Sequence, residues 1–235
     1  MCGRFIMTGS SKDIVASFQV DKVLFDAHPT WNVAPAQSVP VLLRPEGETL
    51  LTCFQWGLIP PWAKDPSIGH KMINARSESV MDKKSFRQAF LQRRCLVIAD
   101  GFYEWKKRGR HKQPRLFHMR SKRFFAMAGL WERWFPPRGG TLDTFTILTT
   151  TPNPLVADVH DRMPVILPPE HHLPWLDPGF RDVMALKSFL QPFPEDQMDV
   201  HPVSSKMNTP RYNQPDCVLP VEDELKTVPT QQSLF

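Results

Sequence analysis

Apolar and polar positions along this chain follow the period of strands more often than that of helices. Apolar runs at residues 39–43 and 49–56 flank a turn at residues 44–47, which predicts an antiparallel hairpin. Residues 95–99 are continuously apolar, which is typical of a buried strand. Further strands are predicted at residues 115–119, 124–130, 145–149 and 198–203. Antiparallel strands are therefore expected to form most of the structure.

Helical periodicity is confined to short segments. A helix is predicted over residues 12–19, where Ile14, Val15 and Phe18 share one face. Other helices are predicted at residues 85–92, 169–176 and 180–190, with a helix start at 150–153. No internal repeat or change in composition marks a domain boundary. We therefore predict a single α+β domain over residues 1–220, an antiparallel-strand-rich sheet or open barrel with short peripheral helices, and a loose polar tail over 221–235.

Composition narrows the class of protein. A hydrophobic content of 41% and a charged content of 23% are typical of a soluble globular chain. The formal charge of +5 favours a polyanionic partner. Polar residues 8–12 interrupt any signal peptide, and no apolar run approaches a membrane span. The cysteines at positions 2, 53, 95 and 217 form neither a disulfide framework nor a zinc pattern, so we expect a cytoplasmic protein without metal or other cofactor.

The residues Met1-Cys2-Gly3-Arg4 carry the first candidate chemistry. If Met1 is removed, Cys2 presents a free α-amine and a thiol on adjacent carbons. Their ordinary pKa values lie near 8 and 8.5, so a modest environmental shift would make both reactive at neutral pH. Such a pair traps an aldehyde, because the amine forms an imine and the thiol then closes a thiazolidine ring on the imine carbon. An internal cysteine cannot do this, since its nitrogen belongs to an amide.

Other polar residues in apolar surroundings are ambiguous when each is considered alone. On the strand at residues 102–105, Phe102 and Glu104 share one face. Glu104 alone fits a solvated strand residue, and His160 beside Asp161 fits a polar surface cluster. Trp62 fits loop packing as well as a base-stacking surface. The order of these segments along the chain is more informative.

Six segments occur in an order that is specific to one family: MCGRF, WNVAPAQ, WGLIPPWA, INARSES, ADGFYEWKK and HDRMPVIL. Together they resemble the SOS response-associated peptidase (SRAP) family, and the resemblance extends from residue 1 to about residue 205. That family includes bacterial abasic-site processing proteins and the eukaryotic factor that recognises abasic sites. The resemblance implies a monomer that acts in the DNA damage response, associated with the nucleoid. It also implies a covalent thiazolidine crosslink between Cys2 and abasic sites in single-stranded DNA.

The resemblance also implies roles for four catalytic residues. Cys2 would be the nucleophile, and Asn74 would hydrogen-bond the N-terminus or the opened sugar. Glu104 would be the general acid and base, with its pKa raised by packing against aromatic residues. His160 would be the second proton-transfer group, and Asp161 would favour its charged form.

A second set of residues is implied to bind DNA: Arg4, Asn32, Trp62, Arg76 and Arg162. The arginines would hold phosphates that flank the lesion. Trp62 or Pro61 would wedge against a base stack, at a kink or a junction between single and double strands. Residues 62–70 and 134–140 are the least family-like, which leaves the wedge residue and the flanking structure open.

Two other functions remain compatible with these residues. One is an N-terminal-nucleophile hydrolase, in which Cys2 attacks an amide held by an oxyanion hole. The other is a non-catalytic single-stranded-DNA-binding module, for which basic loops with interleaved aromatic residues suffice. The module leaves Cys2, Glu104 and His160 without a role.

Overall fold

Strands supply most of the regular structure in the computed structural model, which describes residues 2–121 and 124–227 of the 235. The strands in these ranges are β1 (Phe5–Met7), β2 (Lys22–Val23), β3 (Thr30–Val33), β4 (Ser38–Leu43), β5 (Leu50–Trp56), β6 (Asn74–Arg76), β7 (Arg94–Ala99), β8 (Gly101–Arg108), β9 (His111–Met119), β10 (Phe125–Trp134), β11 (Leu142–Thr150), β12 (Met163–Pro164), β13 (Ile166–Leu167) and β14 (Met198–Pro202).

The helices are short and peripheral. They are α1 (Ser11–Phe18), α2 (Lys84–Gln92), α3 (Pro154–Ala157), α4 (Pro169–Leu176), α5 (Val183–Ser188) and α6 (Glu224–Thr227). α1 begins at a capping box, in which the Ser10 hydroxyl accepts from the Asp13 amide and the Asp13 carboxylate accepts from the Ser10 amide.

A closed barrel of five strands forms the larger part of the core. β11, β10, β7, β4 and β5 pair in that order as antiparallel neighbours, and β5 then pairs in parallel with β11, Trp56 opposite Phe145. This confirms the predicted α+β class with mainly antiparallel strands, and the β5–β11 pairing closes the barrel. Beyond the end of β5, β6 continues the parallel pairing along β11, with Asn74 opposite Ile147.

A second sheet, in the order β14-β9-β8-β1-β3, packs against the barrel. Its inner face contributes Phe5 of β1 to the main core, and that ring lies 5.1 Å from the ring of Trp56 of β5. Its outer face is covered by a C-terminal segment, residues 203–218, which we call the C-terminal strap. The strap encloses a second small core with Tyr103 at its centre.

The predicted hairpin and most predicted helices and strands are confirmed within four residues at their ends. α5 is shorter than predicted, because Asp182 caps it by accepting from the amides of Met184 and Ala185. β3, which contains the start of the WNVAPAQ segment, pairs with β1. The start of the predicted tail contacts β9, since Arg115 forms an ion pair with Asp223 at 2.7 Å. Residues 228–235 of that tail lie outside the described residues.

Candidate functional site

The backbone ahead of β1 is fixed by strands that lie far away in sequence. β1 lies between β3 and β8, and the Tyr103 amide donates to the Arg4 carbonyl oxygen at 2.9 Å. The Asn74 side-chain amide donates to the Cys2 carbonyl oxygen at 2.8 Å. Asn74 Oδ1 is buried and accepts no hydrogen bond from the described residues. Cys2 is therefore held in a defined position, with an unused acceptor on the side chain that holds it.

The Cys2 thiol lies in an environment that keeps its proton bound. Cys2 is completely buried. Burial raises the pKa of the thiol far above its usual value, and the nearby Glu104 carboxylate acts in the same direction. For the thiol, the environment therefore acts against the shift that would make it reactive at neutral pH. Met1 lies outside the described residues, so its removal stays a prediction.

Glu104 is a buried carboxyl group on β8. Only 2% of its surface is exposed, and it shares its face of the sheet with Phe102, whose ring stacks on Phe117 at 5.1 Å. Burial raises the pKa of Glu104 to about 7, in the direction expected from the sequence. Trp105 points to the opposite face, where its indole donates to Asn208 at 2.7 Å. At neutral pH, Glu104 is therefore present in both its protonated and its ionised form.

His160 follows α3, and its Nδ1 atom contacts the two residues that come next in the sequence. Nδ1 accepts from the Arg162 amide at 3.0 Å and lies 2.8 Å from Asp161 Oδ1. Burial lowers the pKa of His160 below its usual value, although Asp161 acts in the opposite direction. The charged form was expected to be favoured, and this is a correction. Because Asp161 is largely exposed to water, its charge does not outweigh the desolvation of the ring.

Arg162 and Arg76 lie near each other at the end of β11. The Arg162 guanidinium donates to both carboxylate oxygens of Glu78, at 2.6 and 2.9 Å, and to the carbonyl oxygen of Thr149 at 2.5 Å. Arg76 on β6 pairs with the same Thr149 in the strand register, and its side chain is exposed. Arg76 therefore faces solvent, whereas Arg162 is held by a carboxylate.

Arg4 and Asn32 are buried and connect the N-terminal segment to the C-terminal strap. Arg4 Nη1 donates to Asn32 Oδ1 at 2.7 Å and to the Met207 carbonyl oxygen at 3.0 Å. The Asn32 side-chain nitrogen contacts the carbonyl oxygens of Met207, Thr209 and Tyr212 at 2.7–3.1 Å. Asn32 is only 1% exposed. These contacts give both residues a structural role, and their contact with DNA stays a prediction.

Trp62 is exposed in the loop between β5 and β6. Its side chain is 53% exposed, and Lys84 Nζ lies 5.9 Å from the centroid of its ring. Trp56, by contrast, is buried, and its indole donates to the Ile73 carbonyl oxygen at 2.8 Å. An exposed aromatic ring beside an ammonium group matches the predicted DNA contact in chemistry.

Sequence reasoning missed two participants. Glu78 lies within the INARSES segment, so its position was visible, but its partner Arg162 is 84 residues away. The strap carbonyls that hold Arg4 and Asn32 have no sequence signal, because every residue type offers a backbone carbonyl.

The described residues form neither a metal site nor a membrane-spanning helix. Residues 2–121 and 124–227 contain no group of three or more His, Cys, Asp or Glu side chains placed to hold a metal ion. In the same ranges, no helix has the length and apolar character that crossing a membrane requires.

Comparisons with known proteins bear on the whole chain. A family model described as SOS response associated peptidase (SRAP) matches residues 1–210. The abasic site processing protein YoqW of Bacillus subtilis is 45% identical over 221 residues, which cover 93% of this chain and 99% of that protein. The abasic site processing protein HMCES of Gallus gallus is 35% identical, over 83% of this chain and 67% of its own. A crystal structure of a protein from Bacteroides thetaiotaomicron matches with a TM-score of 0.85 and 27% identity, over 94% of this chain and 100% of the other.

Proposed function

Because the chain belongs to the SOS response associated peptidase family, we propose that it processes abasic sites in single-stranded DNA through a covalent crosslink to Cys2. The observation that carries the proposal is the Cys2 position. Its carbonyl oxygen is held by Asn74, and its thiol lies within the electrostatic influence of Glu104, whose pKa is about 7. An abasic sugar supplies the aldehyde that an N-terminal cysteine requires.

The first step opens the sugar. Glu104 in its acid form donates a proton to the ring oxygen while the anomeric hydroxyl group loses its proton to water, which gives the aldehyde and leaves Glu104 as a carboxylate. Asn74 Oδ1, a buried acceptor with no partner among the described residues, would receive a hydrogen bond from the Cys2 α-amine or from the released sugar hydroxyl group. Either bond would hold the amine and the aldehyde carbon close together.

The amine reacts before the thiol. The α-amine of Cys2, freed by removal of Met1, adds to the aldehyde carbon, and loss of water gives the imine. We assign the proton exchange in this step to His160. Because Nδ1 accepts from the Arg162 amide, the proton of the neutral ring is on Nε2, which donates a hydrogen bond to the hydroxyl group that leaves as water. The lowered pKa of His160 favours this neutral ring.

The thiol then closes the ring. Its raised pKa makes direct attack on an unactivated carbonyl slow, but the protonated imine carbon is a stronger electrophile. Sulfur bonds to that carbon, the C=N electron pair returns to nitrogen, and the Glu104 carboxylate accepts the thiol proton. The overall change is aldehyde plus aminothiol to thiazolidine plus one water.

The burial of the Cys2 thiol disfavours an amide hydrolase. A hydrolase nucleophile must attack a neutral amide carbonyl, which requires an ionised or readily ionised thiol. Burial shifts the pKa of the Cys2 thiol in the opposite direction. The imine route avoids this problem, because the amine activates the carbon first.

Arg76 and Arg162 are the proposed phosphate contacts next to the lesion, since both lie at the end of β11. Arg4 and Asn32 would stabilise the backbone of the Cys2 segment through their hydrogen bond to each other. The proposal includes a monomer that acts on nucleoid DNA in the cytoplasm, with Trp62 against the base stack at a junction.

The test is adduct formation on a single-stranded oligonucleotide that contains one abasic site. We expect an adduct that survives salt, denaturant and heat, with the mass of protein lacking Met1 plus oligonucleotide minus water. Intact DNA and a tetrahydrofuran abasic analogue, which lacks the aldehyde, should give none.

Two variants locate the chemistry. Cys2→Ala keeps the amine, so it should give an imine that borohydride traps but no heat-stable adduct. A glycine inserted between Met1 and Cys2 should abolish the thiazolidine, because the Cys2 nitrogen becomes an amide. Cys53→Ala is the matched control, since Cys53 is a half-buried free thiol on β5. A heat-stable adduct from either of the first two variants would refute the mechanism.

A further inference from the structure

Two large exposed aromatic side chains occur in loops that contact each other. Trp62 is 53% exposed, and Phe135, at the end of β10, is 63% exposed. The end of β10 is joined to the Trp62 loop, because the Trp134 indole donates to the Ala63 carbonyl oxygen at 2.7 Å. A single exposed apolar residue is common on protein surfaces. Two aromatic rings in adjoining loops indicate a surface that contacts something flat and apolar.

The charges around the Trp62 ring are mainly positive. Lys84 lies over the Trp62 ring and begins α2, whose first turn has neither an acidic residue nor a side-chain cap. Lys84, Arg87 and Trp62 line a cleft of about 440 Å³. Of the acidic residues lining this cleft, Glu132 forms an ion pair with Arg93 at 2.7 Å, which leaves Asp82.

This surface is continuous with the Cys2 site. The loop that carries Trp62 leaves β5 where Trp56 pairs with Phe145, and it returns to β11 at Asn74, which contacts Cys2. On β11, the residue that pairs with Trp134 and the residue that pairs with Asn74 are five positions apart. That separation is about 17 Å in a strand, a distance of a few nucleotides.

We propose that Trp62, Phe135 and Lys84 form a flank surface for single-stranded DNA, with Phe135 as a base-stacking residue in addition to Trp62. The inference rests on the proposed function and specifies which part of the chain holds the DNA beside the lesion. Bases stack on exposed aromatic rings without sequence preference, and an adjacent ammonium group attracts phosphates. An acidic peptide would use the positive charges but leave both rings without partners.

The experiment measures equilibrium binding of oligonucleotides that carry one tetrahydrofuran abasic analogue, with the flank on each side lengthened one nucleotide at a time. For the natural protein we expect affinity to rise stepwise on one flank. At one of those steps Phe135→Ala should bind about fivefold more weakly than the natural protein, and on shorter oligonucleotides it should bind equally well. Fivefold is the lower end of the range for base–aromatic stacking. Phe135→Trp should retain the step.

Matched variants separate stacking from general effects. Met184→Ala removes a side chain that is 78% exposed on α5, so it should leave every step unchanged. Removing the base at the critical position of the oligonucleotide should weaken its binding to the natural protein by the same fivefold. Binding to Phe135→Ala should not change. Lys84→Gln should lower the slope of log affinity against log salt by about 0.7, the value for one phosphate of a single strand.

The outcomes distinguish this inference from the proposed function. If adducts form on abasic DNA but Phe135→Ala binds every length as well as the natural protein, the flank surface is refuted. The same holds if the loss in Phe135→Ala persists on the oligonucleotide that lacks the base. If the length-dependent loss occurs while no adduct forms on abasic DNA, the flank surface stands and the crosslinking proposal fails.

Discussion

At the scale of single residues, the buried Glu104 carboxyl group should make stability depend on pH. Its pKa in the folded protein, about 7, lies above the usual value, so the folded state binds the proton more tightly than the unfolded chain. This stabilisation is complete below about pH 4 and is lost as the pH rises through about 7, by roughly 3 kcal/mol. Glu104→Gln, which cannot ionise, should therefore unfold at a higher temperature than the natural protein at pH 8.5.

At pH 5 the two proteins should unfold at similar temperatures, and thermal unfolding across pH 5 to 9 measures the difference. Glu170→Gln is the control, because Glu170 is an exposed residue of α4. Equal unfolding temperatures of Glu104→Gln and the natural protein at both pH values would show that Glu104 is not buried as a carboxylate.

The same substitution should slow the chemistry. A general acid or base usually contributes about 10²–10⁴ in rate, so Glu104→Gln should lower the single-turnover crosslinking rate by that order. In the natural protein the rate should peak near pH 7.5, because Glu104 loses its proton above about 7 and the α-amine becomes neutral near 8. In Glu104→Gln the peak should become a steady rise with pH.

His160→Gln should slow the reaction more mildly, since water replaces part of a proton relay. Rates within twofold of the natural protein in both variants would remove both residues from the mechanism.

The residue types in the site were predictable from the sequence, but their environments were only partly so. Glu104 was expected to be desolvated, because it alternates with aromatic residues on one strand. The thiol of Cys2 was not expected to be buried, since its surroundings come from β6 and β8, which lie 70 or more residues away. The direction of the His160 shift likewise depended on how far each member of the His160–Asp161 pair is exposed.

At the scale of elements, the C-terminal strap depends on one amide. Asn32→Asp keeps an oxygen for Arg4 but replaces the nitrogen that donates to the strap carbonyls with a second carboxylate oxygen. Although the variant gains a full ion pair with Arg4, we expect it to lower the free energy of unfolding by about 2–3 kcal/mol, because buried carbonyl and carboxylate oxygens repel. The unfolding temperature should fall by roughly 5–10 °C.

Thermal unfolding measures this change, and Asn213→Asp supplies the contrast. Asn213 uses its side-chain oxygen to accept from the Trp31 amide at 2.7 Å, so that bond survives in the aspartate. An Asn32→Asp variant as stable as the natural protein would show that the strap does not depend on Asn32.

Elements with strong local patterns were predictable, and elements defined by distant partners were not. The β4–β5 hairpin and the buried β7 carry their periodicity within a few residues. β6 is three residues long and exists because β11 offers an edge beyond the end of β5. The parallel β5–β11 pairing joins residues about 90 positions apart, and no local pattern encodes it.

At the scale of the whole molecule, the charge near the end of β11 should control how DNA binding responds to salt. Arg76 faces solvent, so Arg76→Gln should weaken binding and lower the slope of log affinity against log salt by about 0.7. Glu78 competes with phosphate for Arg162, so Glu78→Gln should strengthen binding, by roughly threefold. Fluorescence anisotropy on an intact oligonucleotide at 50 to 300 mM salt (about 14 Å falling to about 6 Å in screening length) tests both. Glu46→Gln, in an exposed turn, is the control. Opposite signs for Arg76→Gln and Glu78→Gln are expected, and equal signs would contradict the assignment.

The position of β1 has a consequence for the order of events during synthesis. β1 leaves the ribosome about a hundred residues ahead of its partner β8, which begins at Gly101. At about 5–20 residues per second, the N-terminus waits roughly 5–20 s before the strand that holds it has been made. On the proposed mechanism, this interval is when the aminopeptidase that removes Met1 has open access. Afterwards β8 and Asn74 hold Cys2 in the folded protein, and a chain that keeps Met1 past that point would fold normally and remain unable to form the thiazolidine.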